Sequence, residues 1–440
     1  MNITIIGSDG QIGRRLLTSL APLGSITALT RSQLDLSDLN AIEKTLANTK
    51  PDIIVNAAAY TDVDGAEDDR DTAARINAQA PSQIALAADS CGAVLVHYST
   101  DYVFDGTSPR PYLPNDATNP LSVYGTTKRD GERAILAIDG ASQRSLIFRT
   151  SWIYDNVGSN FLLTMQRLAS RLDTFQVVND QHGAPTFSKT IADATAAALA
   201  QTVSGEHGAR CLGVPGGIYH LTCTGETTWF GFASAIIDHG PTQPTIEPVT
   251  SDAFPRPAHR PSNSRLDLTK TIDDINTWSN NYMAEVVFKE LGRPDGRPAS
   301  WERAAPRVTQ CLTKMGVNPA ELRVVNGSGL YRGTLVSPRA MTQLLVSMHK
   351  NPQLSSPFRD SLARPGRAGT LAGRLRSPGS RDRLWAKTGT LDEVVSLSGY
   401  VQTSGDHGLA FAIFINDANA ARTSALRSAI DRLVLILSRL

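Results

Sequence analysis

The chain has 440 residues, 41% of them apolar, with 43 Lys and Arg against 42 Asp and Glu. That length predicts two or three domains, and the apolar share is ample for their cores. A formal net charge of +1 excludes bulk electrostatic recruitment to nucleic acid or to an acidic membrane, so neither is expected as a partner.

Cys91, Cys211, Cys223 and Cys311 lie far apart, with no Cys-x-x-Cys pair. Reduced thiols in a cytoplasmic protein are expected, without a disulfide or a metal set. The N-terminus enters an apolar run directly, with no basic n-region and no long h-region, so no signal peptide is expected. The apolar run at 409–415 is too short to span a bilayer.

In chain order, an apolar run at 3–6 ends in Gly7-Ser8-Asp9-Gly10-Gln11-Ile12-Gly13, and an amphipathic stretch follows at 14–23. This reads as strand, tight turn, helix. Glycines let the backbone approach a pyrophosphate, which then sits at the helix N-terminus. The Gly-x-x-Gly-x-x-Gly spacing differs from Gly-x-Gly-x-x-Gly, and alone it also suits any tight strand-to-helix turn. The second strand, 25–29, ends in Thr30-Arg31 where an NAD-specific site usually has an acidic residue. A hydroxyl and a guanidinium suit a 2′-phosphate, which favours NADPH over NADH; the alternative is a merely solvated Arg31. Asp35 and Leu36 open the next turn, within reach of an adenine edge.

The third strand, 52–56, runs into Ala57-Ala58-Ala59-Tyr60-Thr61. Small residues there let a flat ligand pass close to the backbone, or let a helix pack tightly. A long Ala-rich helix is expected over 66–88. The fourth strand, 93–97, leads to Ser99-Thr100-Asp101-Tyr102-Val103-Phe104. The carboxyl end of a central parallel strand is where α/β sheets place chemistry. After a Pro-rich loop at 109–120 comes Tyr124-Gly125-Thr126-Thr127-Lys128. Residues four apart on a helix share one face. A nearby ammonium favours the phenolate and draws a phenol pKa of about 10 toward neutrality. A strand at 145–149 then ends in Thr150-Ser151-Trp152-Ile153-Tyr154. Strands alternating with helices predict a Rossmann-type α/β fold, a doubly wound parallel sheet. The order of glycine turn, hydroxyl-bearing strand end and Tyr-x-x-x-Lys is the one a short-chain reductase needs.

These motifs, with Asn179-Asp180-Gln181-His182-Gly183-Ala184-Pro185-Thr186, Gly217-Ile218-Tyr219-His220-Leu221 and Arg260-Pro261-Ser262-Asn263-Ser264-Arg265, resemble the dTDP-4-dehydrorhamnose reductase family over residues 1–270. The resemblance implies a substrate lobe within 150–270 and an NAD(P)H-dependent reduction of a sugar-nucleotide C4 ketone. By the same likeness, Gly7, Gly10, Gln11, Ile12 and Gly13 line the pyrophosphate, while Ala58, Ala59 and Thr61 flank the cofactor. Thr100 and Tyr124 would hydrogen-bond the ketone, and Lys128 would hold the nicotinamide ribose and tune Tyr124. Asp101, Trp152, Gln181, Gly183, Ala184, Pro185 and Arg260 would shape the substrate pocket; a packed core role is the alternative for Trp152, and more so for His182 and His220. The family's homodimer contacts and associated magnesium involve a C-terminal segment that this chain replaces.

After residue 270 the family pattern stops. An amphipathic helix is expected at 275–285, a polar loop at 295–305, an Arg-rich solvated loop at 359–383, strands at 394–402 and 408–415, and a last helix at 421–440. Ser279-Asn280-Asn281, Asn326-Gly327-Ser328-Gly329-Leu330, Val336-Ser337-Pro338-Arg339 and Lys387-Thr388-Gly389 are similar to elements of class C low-molecular-mass penicillin-binding D-Ala-D-Ala carboxypeptidases. The resemblance implies a partial α+β, transpeptidase-like domain over 271–440. That family's nucleophilic Ser-x-x-Lys belongs upstream of Ser-x-Asn. Here the sole instance is Ser347-Met348-His349-Lys350, in the wrong order and on a stretch that reads as a packing helix. A reductase without peptidase activity is therefore expected. The alternatives are a cell-wall hydrolase with a vestigial reductase, and a catalytically defective fusion that only binds nucleotide.

Overall fold

A computed structural model of the chain describes residues 1–200, 203–204, 210–212, 215–223, 225–268, 284, 288, 291, 301–329, 333–367, 369–376, 381–391, 393–404, 407–416 and 423–439. The chain divides into two compact units, Met1–Lys270 and Thr271–Leu440.

The first unit is built on a six-stranded sheet. Its strands are β1 (Asn2–Ile6), β2 (Ser25–Leu29), β3 (Ile53–Asn56), β4 (Val94–Thr100), β5 (Ser145–Thr150) and a late arrival, β7 (Gly217–His220). Their order is β7-β5-β4-β3-β1-β2, parallel throughout. The residues of β3, β4 and β5 are buried along their whole length, as expected of parallel strands covered on both faces. Ile6, Ile54, Leu95 and Ile147 pack against α2 (Leu39–Thr49), α3 (Ala80–Cys91) and α4 (Val123–Leu136) through Ile42, Ile84 and Ile135. The opposite face is covered by α1 (Gln11–Ser19) and α6 (Ser188–Leu199); Tyr98 reaches that way, its hydroxyl 2.6 Å from Thr195 of α6. The doubly wound fold expected from the sequence is therefore the one observed.

A smaller lobe interrupts the sheet between β5 and β7 and continues after it. Helices α5 (Phe161–Ala169) and α7 (Trp229–Asp238) cover a parallel pair, β6 (Thr174–Val178) with β8 (Thr245–Val249), around Met165, Val177, Ala233 and Ile236.

Two local expectations need correction. The continuous helix over 66–88 is broken. Asp69 leaves helical geometry (φ −115°, ψ 58°) and its carboxylate caps the following helix at Thr72 N. A π-helical turn, Arg75–Gln79, then precedes α3. Pro81, just inside α3, has no N–H and its ring crowds the carbonyl four residues back, which favours the wider turn. The fourth strand runs on to Thr100, three residues beyond its expected end, because its last residues still pair with Arg149 and Thr150 of β5.

In the second unit, β9 (Leu384–Leu391), β10 (Val394–Gln402) and β11 (Gly408–Ile415) form an antiparallel meander. Ile430 and Val434 of α10 (Thr423–Leu437) pack on Leu384, Leu397 and Phe411 of its core. Helix α8 (Trp301–Lys314) starts inside the stretch expected to be a polar loop, with Ala304 fully buried. The loop guanidiniums are not simply solvated: Arg374 pairs with Asp431 at 2.7 Å, Arg367 with Asp382 at 3.0 Å, and Arg359 lies over Trp385. The helix expected at 275–285, apart from Ala284, and Ser279-Asn280-Asn281 fall outside the described residues, as does Leu330.

Candidate active site

In a parallel sheet every strand ends at the same edge, so β1, β3, β4 and β5 deliver their following loops side by side. After β1, Gly7 takes a positive φ of 77°, and a Cβ there would lie 2.8 Å from the backbone nitrogen of Ala58. A Cβ on Gly13 would lie 2.0 Å from the Gly7 carbonyl. Glycine is thus required at both positions for turn, helix and the Ala57–Ala59 segment to close on one another. Gly10 is the N-cap of α1 and brings no capping side chain, so the first N–H groups keep their anion-binding capacity. Gln11 Oε1 is buried there with no hydrogen-bond partner, Ile12 is buried, and Ala58 and Ala59 are half-buried. A glycine cradle, an open helix N-terminus and a flat row of alanines suit a dinucleotide.

Beyond β2, Thr30 Oγ1 donates to Gln33 at 3.0 Å, and the exposed Arg31 guanidinium stands 3.7 Å from Asp35. Bonds from Ser37 hold the Asp35 carboxyl below its usual range. Leu36 is buried in the core, so its side chain does not face the edge. Thr61 is exposed.

The reacting groups lie at the ends of β4 and α4. Ser122 caps α4 by accepting from Gly125 N at 3.2 Å. Thr100 donates to Asp101 Oδ1 at 3.0 Å, and its hydroxyl adjoins the Tyr124 phenol. Burial pushes the phenol up to about 12; the neighbouring Thr100 hydroxyl opposes this and the Asp101 charge adds to it. Burial also lifts Asp101 to about 7, with the nearby Ser264 and Thr100 hydroxyls opposing. Lys128 is buried and burial lowers it to about 8, with Glu132 opposing. Its ammonium does not reach for Tyr124. Lys128 Nζ donates to the Tyr98 carbonyl at 2.6 Å and lies 3.3 Å from His97 Nε2. The expected drawing-down of the phenol by Lys128 is therefore absent from this arrangement, because the lysine's nearest partners are on β4.

The π-helical turn has a use here. It presents Asn77, whose amide donates to Thr127 at 3.2 Å and to the Tyr60 carbonyl at 3.0 Å, and accepts from Tyr60 N at 2.9 Å. One side chain thereby ties the alanine loop to α4.

On the lobe side, Trp152 has a positive φ of 46°, a strained state for a bulky residue worth about 1–3 kcal/mol. Its ring stacks on Trp229 with centroids 3.7 Å apart and also packs on Gly183. Trp229 Nε1 donates to Gln181 Oε1 at 3.1 Å, and Gln181 donates to Ser251 at 2.9 Å. Ala184 accepts from Ser151 at 2.8 Å, and Pro185 is half-buried beside it. Arg260 forks onto Asp64 at 3.1 and 2.8 Å, so its guanidinium is already engaged by a carboxylate. Trp229, Asn77, Asn56 and His97 carry no role in the sequence reading. Trp229 follows a Thr-Thr helix start and Asn77 precedes a helical Pro, which are the only local signals they give.

Residues 1–288 match the RmlD substrate binding domain family. This chain belongs to that family. Residues 261–437 match the D-Ala-D-Ala carboxypeptidase 3 (S13) family, so both of the likenesses read from the motifs are found, overlapping at 261–288. The chain is 43% identical over 274 residues to a dTDP-4-dehydrorhamnose reductase of Burkholderia thailandensis, covering 60% of this chain and 90% of that protein. It is also 43% identical over 280 residues to the Salmonella typhimurium reductase, covering 61% and 90%. Among solved structures it resembles the Bacillus anthracis dTDP-4-dehydrorhamnose reductase in complex with NADP (TM-score 0.55, 32% identity, 61% of this chain and 90% of that one). The Clostridium acetobutylicum reductase is comparable (TM-score 0.56, 33% identity, 71% and 100%).

In the second unit, Ser347 donates its hydroxyl to the Met315 carbonyl at 2.5 Å from within α9 (Pro338–Lys350), and Lys350 is exposed at that helix's end. Lys387 lies on β9, where burial lowers it to about 8. Among the described residues, no three His, Cys, Asp or Glu side chains converge to hold a metal ion, and no helix is long and apolar enough to cross a membrane.

Proposed function

We propose that this chain is an NAD(P)H-dependent oxidoreductase that reduces the C4 ketone of dTDP-4-dehydro-L-rhamnose to dTDP-L-rhamnose. The observation that carries the reading is the meeting of the Thr100 and Tyr124 hydroxyls at the end of β4 and the start of α4, on the sheet edge that also carries the glycine turn after β1. Bound NAD(P)H supplies the hydride that reaches C4. Tyr124 gives its phenolic proton to the oxygen as charge develops there, and Thr100 donates a second hydrogen bond to the same atom. Charged Lys128, anchored on the Tyr98 carbonyl, holds the nicotinamide ribose, so loss of its proton at high pH lowers the rate. Gly7, Gly10, Gln11, Ile12, Gly13, Ala58, Ala59 and Thr61 bind the dinucleotide, with Thr30, Arg31, Asp35 and the backbone at Leu36 at its adenosine end. Asp101, Trp152, Gln181, Gly183, Ala184, Pro185 and Arg260 enclose the sugar nucleotide. The reaction is assigned to the cytoplasm, with two copies of the chain as the assembly to look for by sedimentation.

NADPH oxidation that depends on the 4-keto sugar tests the reading; oxidation equal with and without sugar would defeat it. Arg31→Ala separates the cofactors. A charge-assisted hydrogen bond to a 2′-phosphate is worth about 1.5–3 kcal/mol. The ratio of kcat/KM for NADPH over NADH is therefore expected to fall roughly tenfold or more. An unchanged ratio would mean that Arg31 only pairs with Asp35.

The second unit is proposed to lack peptidase activity, because the Ser347 hydroxyl is spent on the Met315 backbone carbonyl within a packed helix. A fluorescent penicillin is expected to leave the chain unlabelled. Covalent labelling that Ser347→Ala abolishes would overturn this.

A further inference from the structure

The central strand carries a buried histidine that the reduction chemistry above does not use. His97 faces α4, and on its other side it lies directly across from Asn56 in the parallel β3–β4 register. Asn56, His97 and Lys128 are 1–2% exposed. Four contacts run in a line: Ala58 N–H to Asn56 Oδ1 at 3.2 Å, Asn56 Nδ2 to His97 Nδ1 at 3.2 Å, His97 Nε2 to Lys128 Nζ at 3.3 Å, and Lys128 Nζ to the Tyr98 carbonyl at 2.6 Å.

The direction of this line follows from one backbone group. The Ala58 N–H can only donate, so it must face the amide oxygen of Asn56, and the NH2 of Asn56 must then face His97. His97 Nδ1 therefore accepts. Burial and the neighbouring lysine hold the imidazole well below its ordinary pKa, so it carries one proton. That proton sits on Nε2 and points at Lys128. A lysine facing an N–H donor is best served by the lone pair of a neutral amine, with one of its own hydrogens kept for the Tyr98 carbonyl. A charged Lys128 would set donor against donor. Relief would need the other imidazole tautomer, which would in turn oppose the Asn56 NH2 and dislodge Asn56 from Ala58.

We propose that Asn56 and His97 form a directed hydrogen-bond line that sets the pH at which Lys128 charges, making His97 a positioning residue for the reductase chemistry. The proposal rests on the reductase reading for its kinetic consequence only. It ties the charge on Lys128 to the backbone of the alanine loop, one of the segments assigned above to the dinucleotide. The other groups around the line are few. Glu132 lies one turn beyond Lys128, with its carboxylate forked onto Arg149 of β5; Tyr124 lies one turn before it, with Asp101 and Tyr102 beyond. The β5 residue opposite His97 is Ile147, which is apolar.

Two measurements test it. In the full chain labelled with 15N-histidine, with His97→Gln to assign the signal, His97 is expected as the Nε2-protonated tautomer, shifting as Lys128 titrates. The Nδ1-protonated tautomer in the unmodified chain would overturn the proposal. The second uses the isosteric Asn56→Asp, which reverses the line: the carboxylate accepts from Nδ1–H, and Nε2 then accepts from a charged Lys128. The alkaline limb of the kcat–pH profile is expected to move up by about one pH unit or more, with His97 switching to the Nδ1-protonated form. A variant that keeps wild-type NADPH affinity and an unmoved limb would also overturn it. Failure of the unmodified chain to reduce the 4-keto sugar would defeat the reductase reading, and the tautomer would still decide the line.

Discussion

Tyr124→Phe is expected to lower kcat by about 10²–10⁴-fold, the range that a positioned general acid supplies. The ring should stay where it is. Tyr124 packs edge-on to Tyr102, with centroids 6.1 Å apart, and that contact needs no hydroxyl. NADPH affinity, read by fluorescence titration, should therefore change little, and the loss should fall on kcat. Thr100 loses its phenol neighbour but keeps its bond to Asp101. If Tyr124→Phe left kcat within a fewfold of the starting value, the proton would have to come from elsewhere. Asp101 is the nearest alternative, since burial holds it protonated up to about pH 7. An activity of this variant that falls as pH rises through that value would identify it.

The largest stability effect is expected at Arg149→Met. Arg149 and Glu132 are each 3% exposed at the side chain and meet in a two-pronged pair, 2.9 and 2.7 Å, between β5 and α4. Arg149 also donates to the Pro114 carbonyl at 3.0 Å and lies 5.0 Å over the Phe104 ring, while Ser99 donates to Glu132 at 2.5 Å. Removing the guanidinium strands a buried carboxylate, and such a loss is worth about 3–5 kcal/mol. Replacing both partners with apolar residues, Glu132→Leu with Arg149→Met, leaves no buried charge and should recover most of it. Amide hydrogen exchange along β4 and β5 gives the measurement strand by strand, without a single melting transition for a chain of two units. Equal protection in the single and double variants would show that the pair is not what holds the strands.

The parallel sheet was legible in the sequence because its strands are short apolar runs separated by helical spacing, a pattern that survives any detail of packing. The strand ends were legible because each breaks into small or polar residues: Gly7, Ala57, Thr100, Thr150. What was hidden depends on pairing across the sheet. Asn56 and His97 sit in runs 41 residues apart, and only strand register brings them together. Trp152 and Trp229 likewise meet only when the lobe folds back. Asp69 and Pro81 interrupt a stretch whose alanine content reads as helix throughout, since propensity sums hide a single cap. The direction in which Lys128 points was also beyond helical spacing. Spacing puts it on the face of Tyr124, while its four-carbon stem carries the amine past that residue to β4.

The placement of β7 has a bearing on how the protein is made. Residues 145–150 and 217–220 are neighbours in the sheet, yet the ribosome delivers α5, β6 and α6 between them. Until Gly217–His220 emerges, β5 is an edge strand with unpaired amides and carbonyls and buried-type side chains, the state most open to pairing with another chain. The sheet therefore closes late in synthesis. A nascent chain stalled near residue 200 would expose just that edge, which makes this interval the one in which the growing polypeptide most needs a chaperone.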